Sequence, residues 1–137
     1  MPMQETKEEQ ERAVLAGVHT GSGNPLADTT EETMEELAQL AKTAGAETVG
    51  MLVQNRPSPE NATYLGEGKL EELANACETL HATLVIFDSE LSPIQLKNLE
   101  KALHLRVIDR SMLILDIFAR HALSREGKIQ VELAQLK

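Results

Sequence analysis

Apolar positions along this chain switch between two spacings, continuous short runs and a period near 3.6, and the switches mark its elements. Ala13, Val14, Leu15, Ala16 and Val18 form an unbroken apolar run that predicts a buried strand over Arg12–Val18. His19-Thr-Gly-Ser-Gly-Asn-Pro25 then reads as a loop by its turn residues. Met34, Leu37, Ala38, Ala41 and Ala44 recur at helical spacing and predict a helix over Asp28–Ala44. Asp28 is the expected N-cap, with Glu31 three residues on, and Gly45 the expected stop.

The alternation repeats three times. Glu47–Gln54 reads as a strand, Arg56–Gly68 as a Pro- and Gly-rich loop, and Lys69–Leu80 as a helix. Thr83–Phe87 is a short apolar strand of the kind buried on both faces. Ser92-Pro-Ile-Gln95 opens a third helix, with Ser92 as N-cap, Pro93 in the first turn and Gln95 closing a capping box; Leu96, Leu99 and Leu103 carry its buried side. Leu105–Ile108 predicts a fourth strand, Ser111–His121 a fourth helix, and Glu126–Lys137 is helical in pattern with no stop signal. Strands alternating with helices of this length give an α/β fold, a four-stranded, mostly parallel sheet with helices on both faces. The expected organisation is a disordered tail over 1–10, an α/β subdomain over 11–122, and the start of a truncated helical hairpin over 123–137.

Composition narrows the chemistry. At 137 residues the chain suits one domain. Aromatics make up 2%, which argues against binding single-stranded nucleic acid on stacked aromatic platforms. The single cysteine, Cys77, excludes an internal disulfide and falls on the apolar stripe Leu70, Leu73, Ala74, Leu80, as a small core residue would. No apolar run reaches the roughly 20 residues that span a bilayer, and a cytoplasmic setting is expected. The net charge of -9 disfavours general nucleic-acid affinity. Residues 101–137, however, hold seven Lys/Arg against four Asp/Glu, which leaves room for one RNA-facing patch or for a helix with a solvated charged face.

Phosphate-cradling motifs fail on spacing. Gly68-Lys69 is followed by Leu70, with Thr63 where a P-loop needs its first glycine; Gly127-Lys128 is followed by Ile129, with Ala122 at that place. Gly21-Ser-Gly23 begins a dinucleotide fingerprint, but Leu26 occupies the third glycine position. In the loop Tyr64-Leu-Gly66-Glu-Gly68-Lys69, two glycines ahead of a helix leave amides free near its positive end; Tyr64, Gly66, Gly68 and Lys69 are therefore anion-binding candidates, set against a plain tight turn. The four histidines, 19, 81, 104 and 121, do not pair at metal spacing. Asp88, Glu90 and Asp109 end strands and could gather a magnesium ion, or instead cap helices and pair with Arg56 and Arg110. No catalytic set and no metal site is expected.

Several segments carry a family resemblance. Leu91-Ser-Pro-Ile-Gln-Leu-Lys-Asn-Leu-Glu100, Val107-Ile-Asp-Arg-Ser-Met-Leu-Ile-Leu-Asp-Ile-Phe-Ala-Arg120 and Arg125-Glu-Gly-Lys-Ile-Gln-Val-Glu-Leu-Ala-Gln-Leu-Lys137 are similar to segments of HflX-type GTPases, as are Glu11-Arg-Ala-Val-Leu15, Ala44-Gly-Ala-Glu47 and Thr63–Lys69. The resemblance implies an N-terminal regulatory and ribosome-binding domain of a GTPase that binds the large ribosomal subunit and splits ribosomes. It implies GTP and Mg2+ in the full-length protein, held by a GTPase domain outside this chain, and no cofactor in the chain itself. The implied partners are the large ribosomal subunit with its RNA and the protein's own GTPase domain. Arg110, Arg120, Arg125 and Lys128 are the RNA-contact candidates; Glu67 and Asn55 stand where the family is usually less acidic or more basic. A small ATP-binding α/β domain and a dimerisation module, with a homodimer of the chain, remain the alternatives.

Overall fold

A computed structural model describes residues 10–24 and 27–122. Four strands, β1 (Glu11–His19), β2 (Ala46–Asn55), β3 (Leu84–Phe87) and β4 (Arg106–Asp109), alternate with helices α1 (Glu31–Thr43), α2 (Glu67–Thr79), α3 (Pro93–Leu103) and α4, helical from 110 through 122. The strands form one parallel sheet in the order β2-β1-β3-β4. This is the predicted α/β architecture. The predicted tail (1–10, apart from its last residue) and the helical pattern at 126–137 lie outside the described residues.

Parallel pairing needs long crossovers, and the helices that make them cover both faces of the sheet. Along β1, Ala13 and Leu15 point to one side, into a layer with Met34, Leu37 and Ala41 of α1 and Leu113 of α4. Val14, Ala16 and Val18 point to the other, against Leu73 and Cys77 of α2 and Leu99 and Leu103 of α3. Buried on both faces, β1 and β3 read as continuous apolar runs for this reason. A bulge shifts the β1–β2 register, from Ala13 opposite Thr48 to Val14 opposite Gly50. Gly50 suits that place, because a Cβ there would meet Leu80 Cδ1 at 2.8 Å.

Helix boundaries depart from expectation in two places. α1 starts at Glu31, capped by Thr30 in a reciprocal box with Thr33, and not by Asp28 with Glu31. The Asp28 carboxylate is engaged elsewhere, by the amides of the preceding loop. α2 starts at Glu67 with Gly66 as N-cap, so Gly68 and Lys69 lie inside its first turn and not ahead of it. The α3 box of Ser92 and Gln95, with Pro93 at its start, is as predicted.

Candidate functional site

The chain turns one way from β1 to β2 and the other way from β2 to β3, so the loops after β1 and β3 part at the carboxyl end of the sheet. That divide is where open parallel sheets place their ligands. Around it lie the loop 20–30, the turn 56–66 and the segment 88–92.

The loop after β1 folds around a buried carboxylate. Asp28 Oδ1 accepts from the Thr20 amide at 2.7 Å and the Gly21 amide at 3.3 Å, and Oδ2 accepts from the Gly23 amide at 3.1 Å. Gly21 and Gly23 adopt φ of 79° and 76°, the left-handed backbone that turns successive amides inward. Burial alone would raise the Asp28 carboxyl; the Thr20, Gly23 and Gly21 amides and nearby His19 outweigh it and hold it below the ordinary aspartate range. The glycine pair that opens like a dinucleotide fingerprint thus forms an anion nest, filled by the chain's own aspartate. His19 Nδ1 lies 2.8 Å from the Thr29 carbonyl and 3.0 Å from Asp28 Oδ1, which orients its ring toward a cleft of about 720 Å³ shared with Met34, Met51 and Val53.

The turn after β2 is pinned from two sides. Gln54 Oε1 accepts from the Gly66 amide at 2.8 Å, while Gln95 Nε2 and Asn98 Nδ2 of α3 donate to the Glu60 and Ala62 carbonyls. Arg56 binds Glu60 at 3.1 Å and the Ser58 carbonyl at 3.0 Å. The four anion-loop candidates therefore separate. Gly66 has given its amide to Gln54, and a Cβ there would meet Arg56 Nη1 at 2.7 Å. Gly68 faces open space, and Lys69 pairs with Glu72. Tyr64 turns inward at φ 68°, 3% exposed, its ring edge-on to Phe87 at 5.5 Å.

Beyond β3, Asp88 is buried and Arg110 closes over it. The guanidinium donates to the Asp88 carboxylate through Nε and Nη2, to the Asp88 carbonyl, and to the Thr33 carbonyl of α1 at 2.7 Å. Thr33 Oγ1 completes the group by donating to Asp88 Oδ2 at 2.6 Å. Asp109 accepts from the Leu91 amide and, as N-cap of α4, from the Met112 amide. Of the three acids at the strand ends, Asp88 pairs with Arg110 and Asp109 caps α4, whereas Glu90 is exposed and in no ion pair among the described residues, and Arg56 pairs with Glu60 instead. Among the described residues no three His, Cys, Asp or Glu side chains converge as a metal site. Of the RNA-contact candidates, Arg110 is a fastener between β3, α1 and α4, and Arg120 is exposed on α4, bound to Asp116 and the Ala44 carbonyl. Arg125 and Lys128 lie outside the described residues. Sequence reading missed the Asp28 nest; its signal was the Gly21-x-Gly23 pair with an aspartate five residues on.

Residues 31–119 match the family model described as GTP-binding GTPase N-terminal. The chain is 50% identical over 133 residues to a protein of Lacrimispora saccharolytica named GTPase HflX, covering 97% of the chain and 30% of that protein. It is 42% identical over 127 residues to the Escherichia coli protein of the same name, covering 93% of the chain and 29% of the relative. Among solved structures, a GTP-binding protein from Sulfolobus solfataricus in complex with GDP superposes with a TM-score of 0.61 at 28% identity, over 92% of this chain and 36% of that one. The chain spans about 30% of the length of the curated relatives it matches. No described helix is long and apolar enough to cross a membrane.

Proposed function

The chain belongs to the family of GTP-binding GTPase N-terminal domains, as the N-terminal part of an HflX-type protein, and from that membership we propose that it is the regulatory, ribosome-facing domain of a cytoplasmic GTPase that binds the large ribosomal subunit and splits ribosomes. The observation that carries this reading is the likeness to HflX proteins over 97% of the chain. GTP and Mg2+ belong to the GTPase domain of the longer protein: both Gly-Lys pairs of this chain lack the P-loop spacing. The Gly21-Gly23 amides, the best-formed anion nest of the described residues, are already spent on Asp28. This also weighs against the alternative of a small ATP-binding domain.

Two surfaces serve the proposed role. Arg120 is the RNA-facing cation on α4, continued by Arg125 and Lys128 in sequence. Met112, Leu115 and Phe118 of α4 are exposed apolar side chains at spacings of three, 38%, 67% and 65% accessible, and would pack against the rest of the longer protein. Co-sedimentation with large ribosomal subunits across a salt series tests the reading. A chain extended through its GTPase domain binds with a negative salt slope, and the triple reversal Arg120→Glu, Arg125→Glu and Lys128→Glu flattens that slope by roughly 0.7–0.9 for each phosphate no longer neutralised. Binding that ignores both salt and the reversal overturns the patch. Tight binding of ATP or GTP by the 137-residue chain, measured by calorimetry, overturns the assignment of nucleotide to the other domain.

A further inference from the structure

Between the loop after β1, the turn after β2 and the segment after β3 lies a cleft of about 420 Å³, within the range of small-ligand sites. Pro57 and Pro59 give it apolar walls; Tyr64, Ser89 and Glu90 line its polar side, with Thr20, Ser22 and Asn24 on the loop opposite. We propose that this cleft binds an alkylguanidinium or alkylammonium cation, its aliphatic stem along the proline walls and its charged head served by Glu90 and the Tyr64 hydroxyl.

Three observations set the chemistry. The first is the Tyr64 hydroxyl: the residue is 3% exposed and its oxygen is buried with no partner in good hydrogen-bond geometry, Ser89 being the side chain close enough to act on it. An uncompensated buried hydroxyl is costly, and a ligand that supplies a donor relieves it. Burial, with the nearby charges of Asp88 and Asp28, pushes the phenol up, so it stays a neutral hydroxyl with lone pairs to offer.

The second is charge. Among the described residues no Lys, Arg or His lines the cleft. Arg56, next to Pro57 in the chain, is engaged by Glu60 and the Ser58 carbonyl. Asp88 is matched by Arg110, and Asp28 by three amides and His19. Glu90 is exposed and makes no ion pair within the described residues, so its carboxylate sets the sign of the site. A phosphate or carboxylate ligand would meet that charge with no cation to offset it. The third is the lining: Pro57, Pro59 and Ala27 offer apolar surface in the same cleft as the Glu90 carboxylate, which suits an aliphatic stem with a cationic tip.

The cation has two sources, a free metabolite or an arginine side chain on another protein, and two probes tell them apart. The 137-residue chain is titrated with agmatine and with a capped Gly-Arg-Gly tripeptide while amide shifts are followed, with inorganic phosphate and AMP as counter-ligands. Saturable agmatine binding is expected, with shifts at Thr20, Ser89 and Glu90. Glu90→Gln weakens it about tenfold or more, and Tyr64→Phe, which removes only the unpartnered oxygen, weakens it severalfold without loss of thermal stability. Binding of agmatine alone assigns a free metabolite, and binding of both probes assigns a side chain. The proposal fails if neither probe saturates, if AMP or phosphate occupies the cleft in their place, or if both variants bind as the parent does.

Discussion

Gly17 sits in β1 with Thr29 pressed against its open face: a Cβ there would lie 2.3 Å from Thr29 Oγ1 and 2.8 Å from Thr29 Cβ. Thr29 is fully buried, so it has nowhere to retreat. Gly17→Ala should therefore cost about 1–3 kcal/mol, as overpacking of a tight site does, and Thr29→Gly in the same chain should recover part of it; chemical denaturation of the single and double variants checks both. Asp28 makes a pH prediction. Its folded-state pKa lies below the ordinary 3.8, so its contribution to stability is complete above that value and is lost as pH falls through the lower folded value. Comparing denaturation midpoints of the parent and Asp28→Asn should show a gap at neutral pH that closes in strong acid; a gap independent of pH would mean that the carboxylate charge is irrelevant. Cys77 is buried, and burial pushes its thiol up, so the folded chain should react with a thiol reagent only as fast as it opens. At this scale the sequence was a poor guide to the site. Asp28 has the composition and place of a helix cap, and the Gly21-x-Gly23 pair before it is an ambiguous signal, since glycines at that spacing also open a dinucleotide loop. Tyr64 belongs by position to an exposed glycine turn, and only the fold shows it tucked beneath the strand ends.

Elements were far more legible, because apolar period and caps are local signals. The Ser92 box and Pro93 fixed the start of α3, and Gly45, at φ 91°, ends α1 as a glycine should. The exits of α2 and α3 carry no such mark. His81 and His104 take the left-handed conformation there, at φ 56° and 55°, a place where glycine costs less. His104→Gly should accordingly raise stability by up to about 1 kcal/mol, and Ser92→Ala should lower it by about 1 kcal/mol, both read from thermal or denaturant unfolding. The early start of α2 at Glu67 was hidden because its cap, Gly66, has no side chain to announce it; the stabilising partner, Gln54, is twelve residues away on β2. Strand order was legible in part: the two continuous apolar runs, β1 and β3, are the inner strands, while β2, with Glu47, Thr48, Gln54 and Asn55, lies at an edge; which edge each outer strand takes is not a local signal.

For the whole molecule, the row Met112, Leu115 and Phe118 is an exposed apolar face of α4. Leu115→Ser with Phe118→Ser should reduce self-association of the chain, measured by light scattering, while leaving its stability within about 0.5 kcal/mol, as for other solvent-facing changes. In a chain extended through its GTPase domain the same pair should instead destabilise, because there the row is expected to be covered.

The place of β1 in the sheet carries a consequence for how the polypeptide is made. Of the four strands it is the first to leave the ribosome, yet it lies inside, between β2 and β3. Its amide and carbonyl groups wait for residues 46–55 on one side and 84–87 on the other; the bond from the Arg12 amide to Thr83 Oγ1 spans 71 residues. At synthesis rates of about 5–20 residues per second, a continuous apolar strand is therefore left half-paired for several seconds. That interval is the chain's period of greatest exposure to wrong partners, and it ends only when Leu84–Phe87 emerges and closes the second side.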